Sequence, residues 1–277
     1  MAKGIGLIGN FKGKVGNMVG YKLSDSNTGN TQGIRVYQPI VKNPKTSAQA
    51  EQRAKLAPIN ATYRALKMVI DRGNEGLPYG NKSRLAWLKK AFKAENMPWI
   101  IKGATNAFPV GCALTKGSLF SLSYNVKTDV IEIACNGVTE QSTIDTIGAL
   151  STALKAAYPT LKDGDQITIV QGGGFGTNID FVVFSFLIDT TSAEAVTYFS
   201  AGDNVIIYNR EPGGSAGAVI VSREGANGQH LRSTESLAID SDELENAPYD
   251  AESKTAAIES YMSSASANAD WAEESIQ

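Results

Sequence analysis

The spacing of apolar residues changes part-way along the chain, and this change constrains the fold more than any single motif. Over residues 56–70, Leu56, Ile59, Tyr63, Leu66 and Ile70 recur three and four positions apart, which aligns them on one face of a helix. Residues 83–95 repeat the pattern with Leu85, Leu88 and Phe92, so two amphipathic helices are expected to pair as a hairpin. From about Thr105 the apolar runs shorten to strand length: 119–124, 130–135, 166–170, 181–188, 204–208 and 218–222, separated by Gly, Asn, Asp and Pro. Only 143–158 returns to helical spacing, through Ile144, Ile147, Leu150, Leu154 and Tyr158. The expectation is an α+β chain: an N-terminal basic arm and amphipathic helices, followed by a strand-rich, sandwich-like domain with one packed helix.

Local signals sharpen the boundaries. Asn43-Pro44-Lys45-Thr46 reads as a turn into the first helix, with Thr46 as N-cap and Gln49 completing a Thr-x-x-Gln capping box. A cap of this kind contributes about 1 kcal/mol. Pro58 is expected to kink or divide that helix, because its ring removes a donor and crowds the preceding turn. Residues 34–40 alternate as a short edge strand, and residues 1–33, rich in Gly and Lys, read as a flexible or extended arm. The expected organisation is 1–45 arm and edge strand, 46–104 helical hairpin, 105–250 β-rich domain, and 251–277 an acidic Ala/Ser-rich tail. A short helix is expected at 255–262 of that tail, with Trp271 as a docking anchor.

Charge follows the same division. Residues 1–105 carry 18 Lys/Arg against 5 Asp/Glu and residues 106–277 carry 8 against 23, so a net charge of −2 conceals segments of about +13 and −15. A basic surface attracts polyanions, whereas an acidic one repels them. No apolar run approaches the roughly 20 residues that span a bilayer, so no membrane partner is expected, and the first residues do not read as a secretory signal. The two cysteines, Cys112 and Cys135, provide neither a disulfide framework nor a zinc spacing and are expected as buried thiols.

Chemistry-bearing motifs are sparse. Gln171-Gly172-Gly173-Gly174-Phe175-Gly176 follows a strand but opens onto another strand-like run, so it reads as a wide hairpin turn and not as a phosphate-binding loop, which must open a helix. Pro212-Gly213-Gly214 is a turn. His230 is the only histidine and reads as an exposed loop residue. Asp240, Asp242, Glu243 and Glu245 lack the turn glycine and spacing of a calcium loop and read as a solvated acidic face. No serine occupies a nucleophile-elbow context. No catalytic residue, metal ligand or cofactor is therefore assigned, and an enzyme is disfavoured.

Gly13-Lys14-Val15-Gly16-Asn17, Arg35-Val36-Tyr37-Gln38-Pro39 and the helix entry Asn43-Pro44-Lys45-Thr46-Ser47-Ala48-Gln49-Ala50-Glu51-Gln52-Arg53 resemble a group of proteins of bacteriophages and prophages of gut Bacteroidota. The likeness covers residues 1–70 well and is loose beyond. It implies a virion or DNA-associated protein, found in the virion and, during assembly, in the host cytoplasm. The expected partners are other phage structural proteins, copies of the same chain, or single-stranded or packaged DNA. Lys3, Lys12, Lys14, Lys22, Arg35, Lys42, Lys45, Arg53, Lys55, Arg64 and Lys67 are the expected contacts to phosphate or acidic side chains, while Asn43, Pro44, Thr46 and Gln49 fix the turn and helix start. The alternative is a non-structural single-stranded DNA-binding protein of the phage.

Overall fold

The computed structural model describes residues 13–25, 29–37, 46–93, 98–102, 113–175, 178–210, 214–225, 228–240 and 250–266. The chain divides into two compact units, Met1–Pro44 and Lys45–Gln277. The described residues of the first form a three-stranded antiparallel sheet of β1 (Gly13–Val15), β2 (Met18–Asp25) and β3 (Gly29–Val36), where the sequence alone suggests an arm and one edge strand. Its lysines and glycines obscure the strands, because Gly13, Gly20, Gly29 and Gly33 sit at ladder positions and only Gly16 serves a turn among the described residues. Gly16 takes a φ of 58° between the paired Val15 and Met18, a conformation that matches the twist of a tight hairpin.

The second unit begins with α1 (Ser47–Ala65), whose N-cap Thr46 accepts a hydrogen bond from the Gln49 backbone N–H at 3.3 Å, the threonine half of the expected box. Pro58 does not divide the helix. The break comes at Leu66, with φ −106° and ψ 22°, and α2 (Lys67–Ile70) follows. Helix α3 (Asn81–Ala91) buries Ser83, Trp87 and Ala91, one residue per turn. Helix α4 (Ile147–Ala157) is capped by Thr146, whose side chain accepts from the Ala149 N–H at 3.2 Å. Helix α5 (Ala251–Ser266) is longer than the 255–262 helix expected from the sequence and packs on α1.

One sheet runs β11-β10-β6-β7 and comprises β6 (Gln166–Phe175), β7 (Asn178–Leu187), β10 (Ala216–Glu224) and β11 (His230–Arg232), with β12 (Ala238–Ile239) also pairing to β10. The other runs β4-β5-β9-β8 and comprises β4 (Tyr124–Lys127), β5 (Val130–Ala134), β8 (Phe199–Gly202) and β9 (Val205–Tyr208). All their ladders are antiparallel. The glycines at 172–174 lie within the β6–β7 ladder, opposite Phe181, Asp180 and Ile179, and the hairpin closes beyond Phe175 and Asn178.

Strand alternation distributes β10 between two cores. Ala216, Ala218 and Ile220 face a core shared with Ile59, Leu66, Ile70, Trp87 and Ala257, so helices α1–α3 and α5 cover that side of the sheet. Val219 and Val221 face the second core with Ile131, Ile133, Ile206, Tyr208 and the α4 residues Leu150 and Leu154. The result is a mixed α+β unit in which a two-sheet sandwich has one face of α4 packed on its inter-sheet core and the other helices on one outer face. The sheets approach so closely at Gly217 that a Cβ there would lie 2.5 Å from Ile131 Cδ1. Expectations for Cys112, Pro212, Gly213, Asp242, Glu243, Glu245 and Trp271 fall outside the described residues.

Candidate functional site

Lys3, Lys12, Lys42, Asn43, Pro44 and Lys45 lie outside the described residues. In the first unit, Lys14 is exposed and holds its ammonium 3.6 Å from the centroid of the Tyr37 ring, a cation–π contact. Lys22 and Arg35 occupy ladder positions opposite Gln32 and Val19. In the second unit, Arg53 and Arg64 are both exposed on α1. Eleven positions separate them, about three helical turns, so they share a face. Lys67 is exposed on α2.

Lys55 behaves differently. Its ammonium pairs with Glu51 at 3.1 Å, and Lys254 from α5 reaches the same carboxylate at 3.1 Å. Both ammonium groups also lie over the Trp99 ring, at 5.5 and 5.0 Å. The two lysines hold the Glu51 carboxyl below the ordinary carboxylate range through their hydrogen bonds. Glu51 therefore fastens α1 to α5 through Lys254, and Lys55 is held beside it within α1. The other helical cations are less engaged: among the described residues Arg53, Arg64, Lys67, Lys82 and Lys89 form no ion pair, while Arg84 lies 4.5 Å from the Tyr63 ring centroid.

A cleft of about 380 Å³ forms where the loop after α2 meets the start of β11. The loop contributes Arg72, Glu75, Leu77 and Tyr79, and the strand end contributes His230 and Arg232. The Tyr79 ring lies 5.6 Å from that of His230 and 5.7 Å from the Arg72 guanidinium, so two cations and two aromatic rings face one space. Burial pushes the pKa of Arg232 down, opposed by the Tyr79 hydroxyl and reinforced by the neighbouring charge of Arg72. Neither arginine has an ion-pair partner among the described residues.

The floor of this cleft is built from backbone. Glu75 accepts from the Ser118 N–H at 2.9 Å, the Ser118 hydroxyl at 2.9 Å and the Arg232 N–H at 3.3 Å, so its carboxylate is committed to holding three segments together. The N–H and hydroxyl of Ser118 help keep its pKa low against the opposing effect of burial. Gly117 is required here, because any Cβ would collide with the Arg232 carbonyl. Below the loop, Asn74 donates to the Ser83 hydroxyl at 3.0 Å, and that hydroxyl donates to the Ile70 carbonyl at 2.8 Å. Sequence reasoning assigns no role to Arg72, Tyr79 or Arg232 and places His230 in a loop. His230 is exposed but begins a strand.

Two further ionisable groups serve the fold. Cys135 is buried and donates its thiol to the Ala153 carbonyl at 3.3 Å, and burial raises its pKa. Glu235 is buried beside Tyr124, whose hydroxyl donates to it at 3.3 Å, and burial pushes the carboxyl up from its ordinary value of 4.5. The folded chain therefore holds this proton more tightly than the unfolded one. Stability falls as pH rises from about 4.5 through the raised folded-state value and stays lower above it. Glu235→Gln removes that penalty. Urea denaturation should show the variant gaining on the native chain as pH rises from about 4.5 through the raised folded-state value and levelling off above it, and a difference that does not change with pH would contradict the assignment.

Among the described residues no group of three or more His, Cys, Asp or Glu side chains is placed to hold a metal ion, and no helix is long and apolar enough to cross a membrane. No family model, curated protein or solved structure matches the chain.

Proposed function

We propose that the protein is a virion-associated structural component of a bacteriophage, making assembly or nucleic-acid contacts through its basic N-terminal region. The observation that carries this reading is the uncompensated charge of the helical layer. Residues 46–93 hold ten Lys/Arg against three Asp/Glu, and Arg53, Arg64 and Lys67 present theirs outward without carboxylate partners among the described residues. A surface of this kind attracts a polyanion without reading its sequence. The N-terminal likeness to phage proteins supplies the setting.

Affinity for a single-stranded oligonucleotide, measured against salt, tests the charged surface. The log-log slope should be about −0.7 for each phosphate neutralised. The triple change Arg53→Gln, Arg64→Gln and Lys67→Gln should flatten it by about 2 if each cation meets one phosphate. A slope unchanged by the triple variant removes these residues from the contact. Protein mass spectrometry of purified particles tests the structural role, and absence of the chain from particles that form normally would overturn it.

A further inference from the structure

The cleft between the Arg72–Tyr79 loop and β11 has features that the basic helical surface lacks. Its two arginines line one space, Arg72 exposed and Arg232 half-buried, with no ion-pair partner among the described residues. Charges of like sign brought together without a counter-charge are unfavourable unless an anion completes the site. The carboxylate that lines the cleft, Glu75, is already used by Ser118 and the Arg232 backbone. Arg72 lies against the Tyr79 ring, and Tyr79 and Arg232 line the same space, so the ring stands beside both cations.

Size and lining narrow the ligand. An inorganic oxyanion would occupy a small part of about 380 Å³, whereas pockets of roughly 300–1,000 Å³ accommodate organic ligands. The remaining wall is formed by Leu77, Pro78 and the exposed Tyr79 and His230 rings, which are flat or apolar surfaces suited to a planar body. Arginine is the residue suited to bidentate recognition of phosphate.

We propose that this cleft binds a nucleotide, with the phosphate held by Arg72 and Arg232 and the base or sugar laid against Tyr79 and His230. The same chemistry is offered by a free nucleotide and by the phosphorylated end of a single strand. The site is independent of the helical contact surface, since it draws on residues from both ends of the second unit and uses none of Arg53, Arg64 or Lys67.

Isothermal titration calorimetry on the full chain tests it with four probes: AMP, adenosine, inorganic phosphate and a 5′-phosphorylated oligothymidylate. AMP should bind at least tenfold more tightly than either adenosine or phosphate, because only AMP presents both parts. Arg72→Gln, a change at an exposed side chain, and Arg232→Gln should each weaken AMP at least tenfold, while Lys162→Gln, on the α4–β6 connection, should not. Oligothymidylate that displaces AMP identifies the strand end as a source, and oligothymidylate that binds without displacing it identifies the free nucleotide. No AMP binding at millimolar concentration overturns the proposal, as does phosphate binding as tightly as AMP, or AMP binding unchanged in Arg72→Gln.

Discussion

Replacing Trp87 by alanine is expected to destabilise the second unit by about 3–5 kcal/mol, the range for deleting a fully buried large aromatic side chain. Trp87 has no exposed surface and sits in the core formed by the helices and the outer face of the β6–β10 sheet. Its ring lies 6.2 Å from that of Tyr63, which joins α3 to α1. The cavity cannot close easily, because Ser83, one turn earlier, is fixed by hydrogen bonds to Ile70 and Asn74. Trp87→Phe is expected to cost far less: it keeps most of the packed surface and removes an indole N–H that is buried without a hydrogen-bond partner. Thermal melts should place the alanine variant roughly 10 °C below the native chain. Equal melting temperatures for the two variants would show that the indole site is not the packing centre of the helical layer.

Asp165→Asn should cost about 3 kcal/mol, the lower end of the range for removing one partner of a buried ion pair. The Asp165 side chain is only 1% exposed and receives Nε and Nη2 of Arg223, each at 2.6 Å, in a two-pronged contact. It also accepts the Lys162 N–H at 2.8 Å, and Arg223 donates a further bond to the Thr160 carbonyl at 2.9 Å. An amide would turn an N–H₂ toward the guanidinium and leave a partly buried cation unpaired. The hydrogen bonds to Asp165 raise the pKa of Arg223, which therefore stays charged. Arg223 retains 20% exposure, so solvent screens part of the loss. The double variant Asp165→Asn with Arg223→Met should be less destabilised than the sum of the single variants, and strict additivity in urea denaturation would show that the pair is not coupled.

Sequence periodicity reveals the helices but misplaces part of their buried faces. Ile59, Leu66 and Ile70 are fully buried, as their spacing predicts, whereas Leu56 is 38% exposed and Ala50 and Ala54 take the inward positions on α1. Alanine adds little to an apolar pattern, yet it is what permits α5 to lie close. The same shift occurs on α3, where Leu85 is 48% exposed and Trp87 is buried. The strand expected at 166–170 lies within β6, and the turn that leads into it needs the φ of 87° that Gly164 takes. Asp165 itself gives no sign of its ion pair, since Arg223 lies 58 positions away.

The cleft is hidden for the same reason. Its two arms are separated by some 157 residues, and β11 is a three-residue strand of mostly polar composition that exists only because β10 offers it an edge. Strand propensity has little influence where a neighbouring edge decides the pairing. The N-terminal sheet is obscured by its glycines, which argue against regular structure in a bare sequence although Gly13, Gly20, Gly29 and Gly33 take paired positions in its ladders.

The division of β10 between two cores also fixes an order of events during synthesis. The buried members of the inter-sheet core lie between Leu122 and Val221, so that side is complete once β10 has emerged. The helical side needs Ala54 from the beginning of the unit and Ala257 near its end. Until α5 leaves the ribosome, α1–α3 have an unfinished apolar flank, and their excess of lysine and arginine keeps nascent chains apart through mutual repulsion.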